Sequence, residues 1–577
     1  MDLLQTRKVS KRAISVIWCL VAIPSFLSFG YTRVAAGDLW WHLAIGRWIL
    51  EHRWIPTVDS WSFTRHGQPW LQHEWLSSVL FQVVAVLLGM PFLVYVKWLV
   101  LVASFLLLFR LTWRISGEPI SSYLSVLLAA AVAAPFLDIR PQLFSILGYV
   151  VLLCLTLDRP KPPLYLPMIF LVWANLHAGF FFGLMALSVL LSPILISGTM
   201  GERRRAALIW IASVLVCLLN PNGLRDFIYP LKYAFDRKSP FQAIGEWVPP
   251  FEFEPGGINS FLYPYAIGIF VCASIFLLLR RREKNRQVPW VRLTLGVLTL
   301  AMSLTSRRFV TLFAISQSLI TSEALAILIG PAVRRIPLLI APALVALFGI
   351  VLLRPYPLAP YAFHYLTAED EFPIETLNFI ELNQLSGKVL AYYNWGGYVH
   401  LRSNGRMQVF IDGRADTVYD SETLLRYAKI QGFRPGWEDV LESSGAEFIL
   451  WPRSDKGKPL AQLVTSGRWR LLFGDAVSVL LVRSDRMPVA PLKPTPDSAY
   501  RRLSSGVQYF EQGRYDFAEQ ALKGALEQMP YLRTALLKLA QAEALQGKKE
   551  DALRTVKRGE EFFPDPQLAA SIKPLVR

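Results

Sequence analysis

The sequence predicts a polytopic α-helical membrane protein with about eleven transmembrane helices, followed by a small extracytoplasmic α/β domain and a C-terminal α-helical repeat tail. Three observations carry this. Over 577 residues the chain is 53% hydrophobic with a mean hydropathy of +0.36, and its apolar runs are long enough to cross about 30 Å of hydrocarbon. Past Pro355 those runs give way to short alternating β-type and helical patterns. In the tail, Gly513, Ala518 and Pro530 recur as Gly547, Ala552 and Pro564, each 34 residues on.

The expected spans are 13–30, 92–109, 120–137, 142–157, 163–177, 178–197, 206–220, 260–279, 290–305, 309–329 and 336–353. With the N-terminus cytoplasmic (Arg7, Lys8, Lys11, Arg12), the inner loops collect Arg110, Arg114, Arg159, Lys161, Arg203 to Arg205, Arg280 to Arg282, Lys284, Arg286, Arg334 and Arg335, as the positive-inside rule requires. This alternation needs the stretch 73–90 to lie in the interface as a short amphipathic helix. Most of the net charge of +17 is therefore topological, and no nucleic-acid partner is expected. Residues 13–30 lack a small-residue cleavage site and read as a retained helix rather than a signal peptide. The four cysteines, Cys19, Cys154, Cys217 and Cys272, all fall inside apolar runs and imply no disulfide framework.

In this topology the domains are a membrane domain over 1–355 with its first outer loop at 31–91, an extracytoplasmic α/β domain over 356–487, a Pro-rich linker over 488–497 and repeats over 498–577. The α/β domain is expected to hold strands near 388–393, 408–412, 447–451 and 478–482, with helices at 373–384 and 421–431. The tail spacing, with Gly506 and Tyr509 at the small and aromatic positions of a first helix, is that of two tetratricopeptide units. Two units are few for independent stability, so the tail should lean on the α/β domain or on a protein partner.

The polar signals gather on the outer side: Asp38 to Met90, Asp138 to Gln142, Asn175 to His177, Asn220 to Trp247 and Thr305 to Arg308. All seven histidines lie there as well. Ionisable groups near a bilayer face are costly unless they line a cavity, so the clustering points to an extracytoplasmic site. Asp38, directly after the first span, and His42, one helical turn on, can share a metal, a proton or an acceptor hydroxyl; a helix cap beside an interfacial histidine is the plainer alternative. His73 and Glu74 offer a second acid/base pair, or the polar edge of the interfacial helix. Asp138 and Arg140 either orient donor phosphate and acceptor or pair with each other. Glu246 is a further acid in a loop of mixed charge. Arg307 and Arg308 break the positive-inside trend, and a phosphate clamp accounts for them because guanidinium binds phosphate oxygens bidentately.

One apolar helix, then a long loop opened by Asp38, an interfacial helix and Asp138 on the second outer loop, resembles the GT-C membrane glycosyltransferases. That class includes the catalytic subunit of oligosaccharyltransferase and the aminoarabinose transferase of lipid A. A second resemblance lies in Tyr392-Tyr393-Asn394-Trp395-Gly396-Gly397-Tyr398, with Arg406 and Asp412-Gly413-Arg414 after it. It is similar to the Trp-Trp-Asp-Tyr-Gly segment of oligosaccharyltransferase, but Asn394 stands where that family has Asp, so the acceptor role of the motif does not carry over with it. The resemblance implies transfer of a sugar from a polyprenyl-phosphate carrier to an extracytoplasmic acceptor. Asp38 and His42 would be catalytic, Arg307, Arg308 and Arg140 would bind the donor phosphate, and His73, Glu74, Asp138, Glu246 and Asn394 would be acceptor-side or second acid/base groups, all converging on one cavity at the outer face. Some members of the class use a divalent metal, Mg or Mn, which Asp38 and His42 would hold here. Two other functions stay open: an O-antigen ligase or polymerase-like protein, and a non-catalytic membrane scaffold that recruits partners through its tail.

Overall fold

The computed structural model describes residues 11–31, 37–159, 161–235, 239–243, 245–252, 260–284, 288–333, 335–337, 339–357, 363–364, 366–453 and 460–576. Arg7, Lys8, Arg286 and Arg334 of the charge argument lie outside the described residues. The chain forms two compact units. One comprises Met1–Thr32, Tyr95–Lys238 and Gln242–Pro355; the other comprises Arg33–Val94, Ser239–Phe241 and Tyr356–Arg577.

The first unit is helical. Its elements include α1 (Lys11–Phe29), the body of α4 (Phe92–Ser116), α5 (Pro119–Ala133), α6 (Gln142–Leu157), α7 (Leu166–Leu176), α8 (Phe180–Ser197), α9 (Met200–Cys217), α10 (Leu224–Phe235), α11 (Tyr263–Lys284), α12 (Trp290–Thr305), α13 (Val310–Leu328), α14 (Gly330–Val333) and α15 (Ile340–Leu353). Each of the eleven expected spans falls on one of these helices. Six helices among the described residues are long and apolar enough to cross a membrane. The helices at α6, α7, α12 and α15 are apolar but shorter, and α9 opens with Glu202 and three arginines.

Between apolar helices in lipid, association rests on packing of small residues and on interhelical hydrogen bonds. Both occur here. Helices α5 and α13 pack together, burying Ala129, Ala130, Ala133, Ala314 and Ser318. Buried hydroxyl pairs join Ser25 to Tyr123 at 2.6 Å, Tyr149 to Ser316 at 2.7 Å and Tyr263 to Ser303 at 2.7 Å.

The second unit contains α2 (Asp38–His52), α3 (Trp75–Leu87), a five-stranded sheet and the tail. At 13 residues, α3 is about 20 Å long. It buries Ser77, Ser78, Phe81 and Gln82 and exposes Leu80, Val86 and Leu87, so its mostly polar side meets protein and an apolar side is left exposed. The sheet has strands β1 (Gly387–Ala391), β2 (Met407–Val409), β3 (Phe448–Pro452), β4 (Trp469–Gly474) and β5 (Ser478–Arg483) in the order β2-β1-β3-β5-β4. The β1 pairings are parallel and the β5 pairings antiparallel. The free edge of β2 is covered by the loop after α2: Phe63 N donates to Val409 O at 3.1 Å and Val409 N to Trp61 O at 3.1 Å. Covering an edge removes a row of unpaired backbone groups.

Five helices form the tail, from Ala499–Glu511 to Pro566–Val576. They rest on the α/β domain. Thr534 N donates to Asp370 Oδ2 at 2.6 Å, Arg533 pairs with Glu371 at 3.2 Å, Arg453 with Glu511 at 2.6 Å, and Ala476 N donates to Ser504 Oγ at 3.1 Å.

Candidate functional site

Asp38 is the first residue of α2, where a carboxylate favours the positive end of the helix dipole. The helix approaches the α/β domain backbone to backbone. A Cβ on Gly413 would stand 2.8 Å from Asp38 Oδ1, and one on Gly397 would stand 2.8 Å from the backbone N of Trp41. At Gly397 backbone leaves no room for a side chain, and at Gly413 a side chain would have to displace Asp38. The carbonyl oxygen of Asn394 sits 2.6 Å from where a Cβ of Gly37 would be. Trp41 Nε1 donates to Asp38 Oδ1 at 3.4 Å, and Trp40 packs edge-on against Tyr398, 4.8 Å between centroids. The segment 392–398 and the Asp412-Gly413-Arg414 turn thus both close on the start of α2, so the structure brings Asp38 and Asn394 together.

Below Gly413 lies a buried ion cluster. Arg414 donates through Nε to Asp412 at 2.9 Å and through Nη1 to Asp59 at 2.7 Å, and its guanidinium carbon lies 4.9 and 4.5 Å from the ring centroids of Trp61 and Trp70, which pack edge-on against each other. Burial raises the Asp59 carboxyl, but the Arg414 charge and bonds from Ser62, Arg414 and the Trp61 amide outweigh it, and its pKa falls below the ordinary value. His400 stacks on Trp61 at 3.7 Å. Burial, then the charges of Arg414 and Arg47, hold it well below an ordinary histidine pKa and therefore neutral.

His42 is turned toward α3. Its Nδ1 lies 2.9 Å from Ser78 Oγ and its Nε2 3.6 Å from Glu74, whose other oxygen is 3.6 Å from His73 Nε2. Glu74 therefore bridges the two histidines, joining what the sequence offered as separate pairs.

The remaining residues fall in the first unit. Arg140 pairs with Glu246. Arg308 lies over the Trp247 ring at 4.8 Å, its amide donates to Glu246 O at 3.2 Å, and its carbonyl accepts from Gln142 at 3.3 Å. Arg307 is buried, and its guanidinium donates to the carbonyls of Gly245 and Glu252, leaving Nε without a partner among the described residues. Arg307 thus braces the 245–252 loop. Asp138 Oδ1 accepts from the amide of Ile139 at 2.7 Å. Its charge also acts on Lys97, a fully buried lysine of α4 that the sequence reading passed over. A lysine inside an apolar run, Phe92-Leu-Val-Tyr-Val-Lys97, is itself the signal that could have found it.

A divalent metal is the cofactor that the resemblance implies. Among the described residues no group of three or more His, Cys, Asp or Glu side chains is placed to hold one, and the nitrogens of His42 face Ser78 and Glu74. Asp38 and His42 do not by themselves make a metal site.

Comparison with known proteins agrees with this architecture. A tetratricopeptide repeat family model matches residues 509–573. No curated protein matches the chain in sequence. Among solved structures, the oligosaccharyltransferase AglB of Archaeoglobus fulgidus, in complex with an inhibitory peptide and a dolichol-phosphate, is similar at TM-score 0.53 and 12% identity, over 93% of this chain and 86% of that one. The Archaeoglobus fulgidus oligosaccharyltransferase complexed with Zn and sulfate is similar at TM-score 0.50 and 12% identity, over 92% and 85%. ArnT of Cupriavidus metallidurans bound to undecaprenyl phosphate follows at TM-score 0.40 and 12% identity, over 82% and 98%. The chain is an integral membrane protein with the fold of the archaeal oligosaccharyltransferase, and it carries tetratricopeptide repeats at its C-terminal end.

Proposed function

We propose that the protein is a membrane glycosyltransferase that moves a sugar from a polyprenyl-phosphate carrier to an acceptor on the extracytoplasmic side. The observation that carries the reading is the seat of Asp38. Its carboxylate opens the first helix after the first span and lies against Gly413, which has no side chain to cover it, in a fold shared with an enzyme solved with a dolichol-phosphate.

The chemistry divides between two groups of residues. Asp38 takes the proton of the acceptor nucleophile as its new bond to the sugar anomeric carbon forms. The bond from that carbon to the phosphate oxygen breaks, and the phosphate leaves with the electron pair. Glu74, with His42 and His73, is the second acid/base group. Arg308 and Arg140, with Arg307 shaping their loop and Lys97 beside Asp138, are the cations that offset the charge developing on the leaving phosphate; Glu246 holds Arg140. Asn394 lines the acceptor side through its backbone. The N-terminus is cytoplasmic, the α/β domain and tail are extracytoplasmic, and the tail is the surface open to a protein partner. A comparison of cell-surface glycans between wild-type cells and an Asp38→Ala strain tests this: loss of one glycan species supports transfer, and identical profiles point to a scaffold.

A further inference from the structure

The first unit holds a second polar feature, at the junction of α8, α9 and residues 161–162, in what the charge pattern predicts is an inner loop. A cavity of about 230 Å³ is lined by Lys161, Pro193, Ile194, Glu202, Arg205 and Ile209 among others. This is below the roughly 300–1,000 Å³ of pockets that enclose drug-sized ligands, so it suits a headgroup rather than a lipid-linked glycan.

The charge around the cavity is unbalanced. Arg205 is fixed by Nε and Nη2 bonds to Pro162 O at 3.3 and 3.0 Å, and Arg203 by a bond to Ile196 O at 2.6 Å. Neither of those bonds supplies a countercharge. The one carboxylate of the lining, Glu202, spends Oε2 on the Thr199 cap at 3.1 and 3.0 Å and meets Lys161 only at 3.7 Å. Three consecutive arginines, Arg203 to Arg205, follow Glu202 early in α9. Charge alone would follow from topology, since basic loops are inside. A walled cavity with an apolar side would not. Pro193, Ile194 and Ile209 form that side, and Ile196 and Leu208 next to it stand exposed where acyl chains would run.

We propose that this cavity binds the headgroup of an anionic phospholipid of the cytoplasmic leaflet, with Lys161 and Arg205 on the phosphate and the acyl chains along α8 and α9. The site is separate from the outer-face chemistry and does not depend on it.

The test uses the full chain in uncharged detergent, with phosphatidylglycerol and phosphatidylcholine titrated separately and lipid adducts counted by native mass spectrometry. One phosphatidylglycerol should be retained in preference to phosphatidylcholine. Lys161→Gln with Arg205→Gln should weaken it about thirtyfold, the worth of two basic groups at an anionic surface, whereas Arg280→Gln with Arg335→Gln, in other basic segments, should leave it unchanged. If the first pair fails to fold, Ile209→Trp fills the cavity with the charges kept and should give the same loss. Equal retention of the two lipids, equal loss from both pairs of variants, or displacement by millimolar inorganic phosphate would overturn the proposal.

Discussion

The carboxylate of Asp38 and the α-carbon of Gly413 lie so close that a methyl group on Gly413 would come within 2.8 Å of Asp38 Oδ1. Residues far apart in the chain thus meet at the start of α2, and the glycine is what lets the Asp412-Gly413-Arg414 turn come this close to the carboxylate. Gly413→Ala should therefore push Asp38 aside while the fold holds. A displacement near 1 Å costs on the order of 100-fold in rate, which a sugar-transfer assay on the purified variant would read.

The Arg414 cluster should be structural. Arg414→Met removes the only cation that bonds Asp59 and Asp412 among the described residues, and breaking a buried pair costs about 3–5 kcal/mol. Thermal denaturation should show a large drop in the second unit's midpoint. A drop no greater than that of an exposed pair such as Arg502 with Asp497 would contradict the cluster's role.

His400 adds a pH dependence of definite sign. Its folded pKa lies well below 6.5, so below about pH 6.5 the unfolded chain takes a proton that the folded chain refuses. Stability is full above that pH and falls as pH drops, by about 1.4 kcal/mol per unit until the folded value is reached. His400→Phe, which keeps a flat ring on Trp61, should flatten the midpoint between pH 6.5 and 5.

The tail should be separable from the chemistry. Asp370→Ala with Arg533→Ala removes the contacts of Thr534 and Glu371. It should make the 488–497 linker readily cleaved by protease while leaving transfer to a simple acceptor intact. Loss of turnover in a folded variant would show that the tail takes part in the reaction.

The helices of the first unit were legible because apolar runs mark them, and β1, β2, β3 and β5 because apolar runs bounded by turns mark buried strands. The edge strand β4 escaped notice: in Trp469-Arg-Leu-Leu-Phe-Gly474 only Trp469 is buried, so no burial period shows. The seat of the first outer loop against the α/β domain escaped too. Asp59 and Arg414 are 355 residues apart, and nothing local in either segment announces the other. Asp38 was found from its place after a span, whereas Gly413, which lies against it, carries no chemical signal at all.

The most direct test of the central claim sets Asp38→Asn beside Arg308→Ala with Arg140→Ala in purified full-length protein, measuring polyprenyl-phosphate donor binding and sugar transfer separately. Asp38→Asn should keep donor binding within a few-fold and lose transfer by at least about 100-fold, while the arginine variant should lose donor binding itself. Transfer at the wild-type rate by Asp38→Asn would contradict the account.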